Sequence, residues 1–145
     1  MINWHNIRRR EIELKALQRI LHAEDDFDIQ FLLRLTFDAF PQFDYQCCNN
    51  GQELLDQLET FQPDLIVLDM MMPKLNGLQT LEKLKNNPET QSIPVIFLTA
   101  KIQPEEVNHY EAMGAFAILF KPLEITTLPT QLEELWQKHQ ALTGG

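Results

Sequence analysis

Short apolar runs alternate with stretches of mixed polarity along the 145 residues. "RILHAE" (19–24), "FDYQCC" (43–48), "DLIVLD" (64–69), "IPVIFL" (93–98) and "FAILF" (116–120) read as five strands, three of them nearly all apolar. A continuous apolar run is buried on both faces, which is the pattern of a parallel sheet covered by helices on its two sides. The fold class is therefore α/β. Helical patterns fill the intervals at 26–40, 51–60, 76–86 and 104–113, with a last one at 124–140. Their punctuation agrees: Asn50-Gly51 turns the chain, Pro63 and Pro94 stand beside strand starts, Pro104 with Glu105 and Glu106 makes a helical first turn, and Gly114 ends that helix. Each strand-helix unit is long enough for a right-handed crossover.

Length and a 44% hydrophobic composition fit one domain with a real core. Twenty-one acidic against twelve basic side chains give a net charge of -9, which argues against nucleic acid as a partner. Apolar runs such as "LIVL" and "VIFL" are strand-length, and the N-terminus lacks the apolar core of a signal peptide, so the reading is a soluble, cytoplasmic protein without a membrane partner. Cys47 and Cys48 are adjacent in one strand and point to opposite faces, so they are two small strand residues and not a disulfide framework. Residues 1–17 precede the first strand and carry Ile7, Leu14 and Leu17 beside "RRREIELK". They read as a solvated extension, with a docking or homodimer-forming helix, or a basic arm, as the alternative. Residues 18–141 form the domain, and 142–145 a tail.

A carboxylate at the end of a buried strand, Asp69, is costly to desolvate without compensation. In a parallel sheet the strand C-termini collect functional groups, and here that edge receives Glu24, Asp25 and Asp26 from the first strand, Asp69 from the third, Thr99 from the fourth and Lys121 from the fifth. Clustered carboxylate oxygens attract a hard cation such as Mg²⁺, which would keep Asp69 ionised as a nucleophile and shield an incoming phosphoryl group. Thr99 can donate to a phosphoryl oxygen, and Lys121 can pair with Asp69 at rest.

The blocks "ILHAEDD", "DLIVLDMMMPKLNG", "PVIFLTA" and "FKP", in that order and at these spacings, resemble the signature blocks of response regulator receiver domains over about residues 18–141. The resemblance implies a five-stranded doubly wound parallel sheet of flavodoxin-like order 2-1-3-4-5. It implies Asp69 as phosphoacceptor, Asp25 as a direct Mg²⁺ ligand, Glu24 as a mostly water-mediated one and the Met71 main-chain carbonyl as a further ligand. Thr99 and Lys121 become the phosphoryl-sensing pair, and Lys121-Pro122 a cis peptide bond. The implied partners are a sensor histidine kinase or phosphotransfer protein upstream and a protein target downstream. The chain would be a stand-alone switch and a phosphoacceptor, not an enzyme.

One position departs from the family. Receivers commonly carry Tyr or Phe three residues before the lysine, and Ile118 stands there. An aliphatic residue cannot report by ring rotation, so switching needs another route. His22, where an aliphatic is usual, reads as a core histidine with a hydrogen-bond partner, and Leu128, Leu132 and Trp136 as a core or interface stripe. Two alternatives are an aspartate-nucleophile phosphatase, which usually needs a second Asp where Met71 stands, and a receiver-like module that signals without phosphate.

Overall fold

A computed structural model describes residues 15–72, 74–100 and 102–143. Strands β1 (Arg19–Ala23), β2 (Asp44–Cys48), β3 (Leu65–Asp69), β4 (Val95–Ala100) and β5 (Ala117–Lys121) form one parallel sheet in the order β2-β1-β3-β4-β5. Among the described residues five α-helices cover it: α1 (Phe27–Asp38), α2 (Gly51–Phe61), α3 (Gly77–Lys85), α4 (Pro104–Ala112) and α5 (Leu128–Thr143). This is the doubly wound arrangement expected. The chain leaves β1 for the edge strand β2 and then crosses back to β3, so the loops after β1 and β3 diverge and leave a crevice at their C-terminal ends.

Side-chain alternation along the strands divides the core into two layers. Leu21, Ile66, Leu68, Val95 and Phe97 pack with Leu54, Leu81, Leu84 and Tyr110 from α2, α3 and α4. On the opposite face Ile20, Leu65, Val67, Ile96 and Leu98 pack with Leu33 and Phe37 of α1 and Leu128, Leu132 and Trp136 of α5. Every residue of β3 is buried, as a central parallel strand requires. Local chemistry starts the helices: Asp26 caps α1, Asn50 caps α2, and Asn76 with Gln79 forms a capping box on α3.

The last helix differs from its expected span. The stretch Ile125–Thr127 is a 3-10 turn, and α5 proper begins at Leu128 with Pro129 in its first turn, where the missing N–H is no loss. The helix then runs to Thr143, into the stretch expected as a tail. At the other end, residues 15–17 are anchored: Leu17 is buried, Lys15 Nζ lies 2.6 Å from Asp64 Oδ1, and Trp136 Nε1 donates to the Lys15 carbonyl at 2.7 Å. The helical alternative for the rest of the extension falls on residues 1–14, outside the described residues. His22 is a fully buried core histidine whose Nδ1 lies 2.7 Å from the Tyr45 hydroxyl. Cys47 and Cys48 are free, and burial pushes their thiols up to about 11 and about 12, so both stay protonated and unreactive at neutral pH.

Candidate functional site

The crevice between the β1 and β3 ends holds the acids. β1 delivers Glu24 and Asp25, β3 ends on Asp69, and an oxygen from each lies within 4.8 Å of the others. Glu24 and Asp69 are buried while Asp25 is exposed, so the cluster has one open side. From the far edge of the sheet β5 delivers Lys121, whose Nζ stands 2.7 Å from Asp69 Oδ2 and 3.9 Å from Glu24 Oε1. The Lys121-Pro122 bond is cis. Asp69 Oδ1 accepts the Met71 backbone N–H at 3.2 Å, so both carboxylate oxygens have a partner.

Among the described residues, one lysine faces three acids. Burial, then the hydrogen bond and charge of Asp69, push the Glu24 carboxyl up to about 8 against the opposing pull of Lys121. Lys121 is itself shifted upward: burial lowers it, but the hydrogen bond and charge of Asp69, with Glu24 and Asp25 behind them, outweigh that. Crowded hard oxygen donors with a raised carboxyl are what a small divalent cation relieves, so the residues present fit Mg²⁺. Burial pushes nearby His22 down to about 3, which keeps the imidazole neutral beneath the acids.

Thr99, near the end of β4, follows Leu98, the residue paired in register with Asp69, and is buried at the same rim. Ile118 pairs in register with Phe97 and packs on the α2–α4 face of the sheet. The Met71 side chain is 79% exposed, and its main chain meets Asp69 through the N–H. The structure therefore gathers Glu24, Asp25, Asp69 and Lys121 into direct proximity, and sets Thr99 and Met71 beside them.

Two supporting residues, Gln30 and Gly77, escaped the reading of the sequence, and Asp26, which that reading placed at this edge, has a capping role it did not assign. Asp26 caps α1 through Oδ1, at 2.9 Å from Asp28 N and 3.1 Å from Ile29 N. Its backbone N–H also donates to Glu24 Oε2 at 3.4 Å, which ties the acids to the helix start. Buried Gln30, on the next turn, donates to the Glu24 carbonyl and to Asn49 Oδ1. Gly77 begins α3 against the strand: a Cβ there would come within 2.8 Å of both the Asp69 carbonyl oxygen and Phe97 Cε1. An aspartate directly before the apolar-rich run that starts at Phe27 was a signal available for the capping role of Asp26. Nothing in the sequence marks Gln30, whose role depends on which way α1 faces.

Comparison with known proteins agrees with this geometry. Residues 20–133 match the family described as the response regulator receiver domain. The chain is 29% identical over 140 residues to the regulatory protein AtoC of Escherichia coli, covering 90% of this chain and 30% of that protein. It spans 20% to 53% of the length of the curated relatives it matches first. Among solved structures, the receiver domain of the Francisella response regulator 1452 superposes with a TM-score of 0.74 at 29% identity, covering 83% of this chain and 98% of that one. The chemotaxis response regulator CheY4 of Vibrio cholerae shares the fold with a TM-score of 0.74 at 22% identity, over 83% of this chain and 99% of that one. With four of its acidic and basic site residues meeting at the crevice of a 2-1-3-4-5 sheet, the chain belongs to the family of response regulator receiver domains.

Proposed function

We propose that this chain is a phosphorylation switch of the cytoplasm, in which Asp69 accepts a phosphoryl group from a histidine kinase or phosphotransfer protein. The observation that carries the reading is Asp69 itself: a buried carboxylate at the sheet's crevice, held by Lys121 at 2.7 Å and flanked by Glu24 and Asp25. In the transfer, an Asp69 carboxylate oxygen forms a bond to phosphorus as the phosphorus–nitrogen bond of the donor phosphohistidine breaks. The imidazole nitrogen leaves with the electron pair and takes a proton from solvent, and an aspartyl phosphate remains.

Glu24, Asp25, Asp69 and the Met71 main-chain carbonyl are the groups that would hold Mg²⁺. When bound, the ion supplies positive charge that neutralises the phosphoryl oxygens. Lys121 keeps Asp69 oriented before transfer and afterwards pairs with the phosphoryl group, and Thr99 donates its hydroxyl to a phosphoryl oxygen. No second acid stands two residues after Asp69, where an exposed Met71 points to solvent, which favours a switch over an aspartate-nucleophile phosphatase. Output is then binding of a protein target by the altered surface.

The test is brief incubation with acetyl phosphate and Mg²⁺, followed by intact mass. The wild type should gain one phosphate and Asp69→Asn none. Equal labelling of the variant would overturn the assignment. A wild type that takes no phosphate would instead favour the module that signals without it.

A further inference from the structure

A cavity of about 680 Å³ lies at the opposite edge of the sheet from the acids, where Asp64 and Pro94 lead into β3 and β4. It is walled by Lys85, the last residue of α3, by Phe116 just before β5, and by Trp136 and His139 of α5. Three of these walls are aromatic: the His139 ring meets Phe116 edge-on at 5.1 Å and lies at 27° to the Trp136 ring, 5.9 Å away. Lys85 is held in place at both ends. Its stem lies along Gly114 (φ 113°), where a Cβ would come within 3.1 Å of Lys85 Cγ and Cε, and its Nζ donates to the carbonyls of Gln91 at 2.9 Å and Ile93 at 3.1 Å. Two of the three ammonium N–H groups are thereby used, and among the described residues no carboxylate pairs with the charge. Lys15, also at the cavity, is committed to Asp64 at 2.6 Å, and Glu111 stands exposed. Beside Lys85, His139 Nδ1 is buried without a hydrogen-bond partner among the described residues. Burial lowers the pKa of Lys85, and burial together with the Lys85 charge lowers that of His139, so the two groups face each other with no anion between them.

We propose that this cavity is a binding site for a small aromatic monocarboxylate, whose ring lies among Phe116, Trp136 and His139 and whose carboxylate takes the remaining Lys85 N–H and the His139 Nδ1–H. The volume falls within the range of small-ligand pockets, about 300–1,000 Å³. Charge sets the class of ligand. One ammonium and one neutral imidazole match a single negative charge, while the neighbouring Glu111 and the net charge of -9 oppose a polyanion such as a nucleotide. A carboxylate accepts hydrogen bonds at both oxygens, so it satisfies the orphaned Nδ1 and the unpaired ammonium at once. The flat aromatic wall selects a ring over an aliphatic body. Because the cavity and the acid crevice lie at opposite edges of the sheet, such a ligand and a phosphoryl group on Asp69 can be held together.

The experiment titrates the full chain with 1-naphthoate, with its uncharged counterpart 1-naphthamide and with inorganic phosphate, and follows amide, indole and imidazole signals by NMR. Naphthoate should shift the signals of Lys85, Phe116, Trp136 and His139 in a saturable way and leave those of Glu24 and Asp69 in place. Naphthamide, which has the same ring and no charge, should bind at least about tenfold more weakly, and phosphate should not shift the cavity signals. Lys85→Met, which keeps the stem along Gly114 and removes the ammonium, should lower naphthoate affinity at least about tenfold and leave naphthamide within about twofold. The comparison of probes on the wild type stands even where that variant fails to fold. Absence of naphthoate shifts at the cavity would overturn the proposal. Equal binding of naphthoate and naphthamide would overturn it too, as would equal binding of phosphate, which would reduce the site to one for any small anion. Naphthoate binding that appears only in Glu11→Gln/Glu13→Gln would assign the cavity's anion to the chain's own N-terminal segment instead.

Discussion

Lys121 Nζ sits 2.7 Å from Asp69 Oδ2 but 3.9 Å from Glu24 Oε1, so the cation that the described residues bring to the crevice is committed to the carboxylate proposed as phosphoacceptor. Glu24 is left the less compensated of the two buried acids, and its raised carboxyl follows from that asymmetry. Because lysine and metal act on the same carboxylates, they oppose each other. Lys121→Ala should therefore bind Mg²⁺ more tightly, by about fivefold, since a neighbouring positive charge at this range weakens a cation by roughly 1 kcal/mol in a solvated site. Calorimetric titration of both proteins checks it.

Metal binding should depend on pH through Glu24. Below about 8 the metal-free protein keeps a proton there, and a cation has to displace it. Mg²⁺ affinity is expected to rise with pH up to about 8 and level off above, with proton release at pH 7 visible when calorimetry is repeated in buffers of different ionisation enthalpy. Stability runs the other way. The Glu24 carboxyl is raised from 4.5, so between 4.5 and about 8 the native state holds more protons than the unfolded chain, and the metal-free fold loses stability as pH rises. Glu24→Gln should abolish the proton release and flatten both dependences.

The His22–Tyr45 pair predicts an opposite acid response. Burial takes His22 from 6.5 to about 3, so within that window the unfolded chain binds the extra proton and stability is lost as pH falls. At roughly 1.4 kcal/mol per pH unit, a drop to pH 5 removes about 2 kcal/mol through this residue. Because Glu24 acts in the opposite sense over the same interval, the loss is read as a difference: between pH 7.5 and pH 5 the wild type should fall by about 2 kcal/mol relative to His22→Leu/Tyr45→Phe in denaturant unfolding. Tyr45→Phe alone should be less stable than the wild type by about 1 kcal/mol, because it deprives the buried Nδ1 of its 2.7 Å partner.

Gly77 should tolerate no side chain. A methyl group there meets the Asp69 carbonyl oxygen and Phe97 Cε1 at 2.8 Å, and the carbonyl belongs to the central strand and cannot retreat. Gly77→Ala is expected to lose about 2 kcal/mol of stability, as overpacked sites do, and to slow acetyl phosphate labelling by displacing the loop that carries Met71. Thermal melting and labelling rates read the two effects separately.

Ile118 bears on how the signal leaves the site. It sits in register with Phe97 and has no ring to rotate, so a phosphoryl-driven change should concentrate in the segment after Thr99 and in α4. Hydrogen exchange with a stable phosphoryl mimic should show its largest differences there. Changes confined to β5 and α5 would show another route.

The fold was legible in the sequence because burial on both faces leaves an uninterrupted apolar run, as in "LIVL" of β3, and because Gly, Pro and Asn mark the turns between elements. The site residues were legible for a related reason: strand ends in a parallel sheet converge on one rim, so Glu24, Asp25, Asp69, Thr99 and Lys121 could be assigned to it from their places in the chain. What pattern alone could not decide is anything set by distance or by the direction a helix faces. That Lys121 prefers Asp69 to Glu24, that Gln30 turns inward to the Glu24 carbonyl, and that His22 finds Tyr45 across the β1–β2 pair all depend on packing between segments remote in sequence. The apolar residues of α1 show the same limit. Phe27, Phe31, Leu33 and Phe37 are alike in hydropathy, and only docking of the helix on the sheet separates the two that fill the core from the two left facing water.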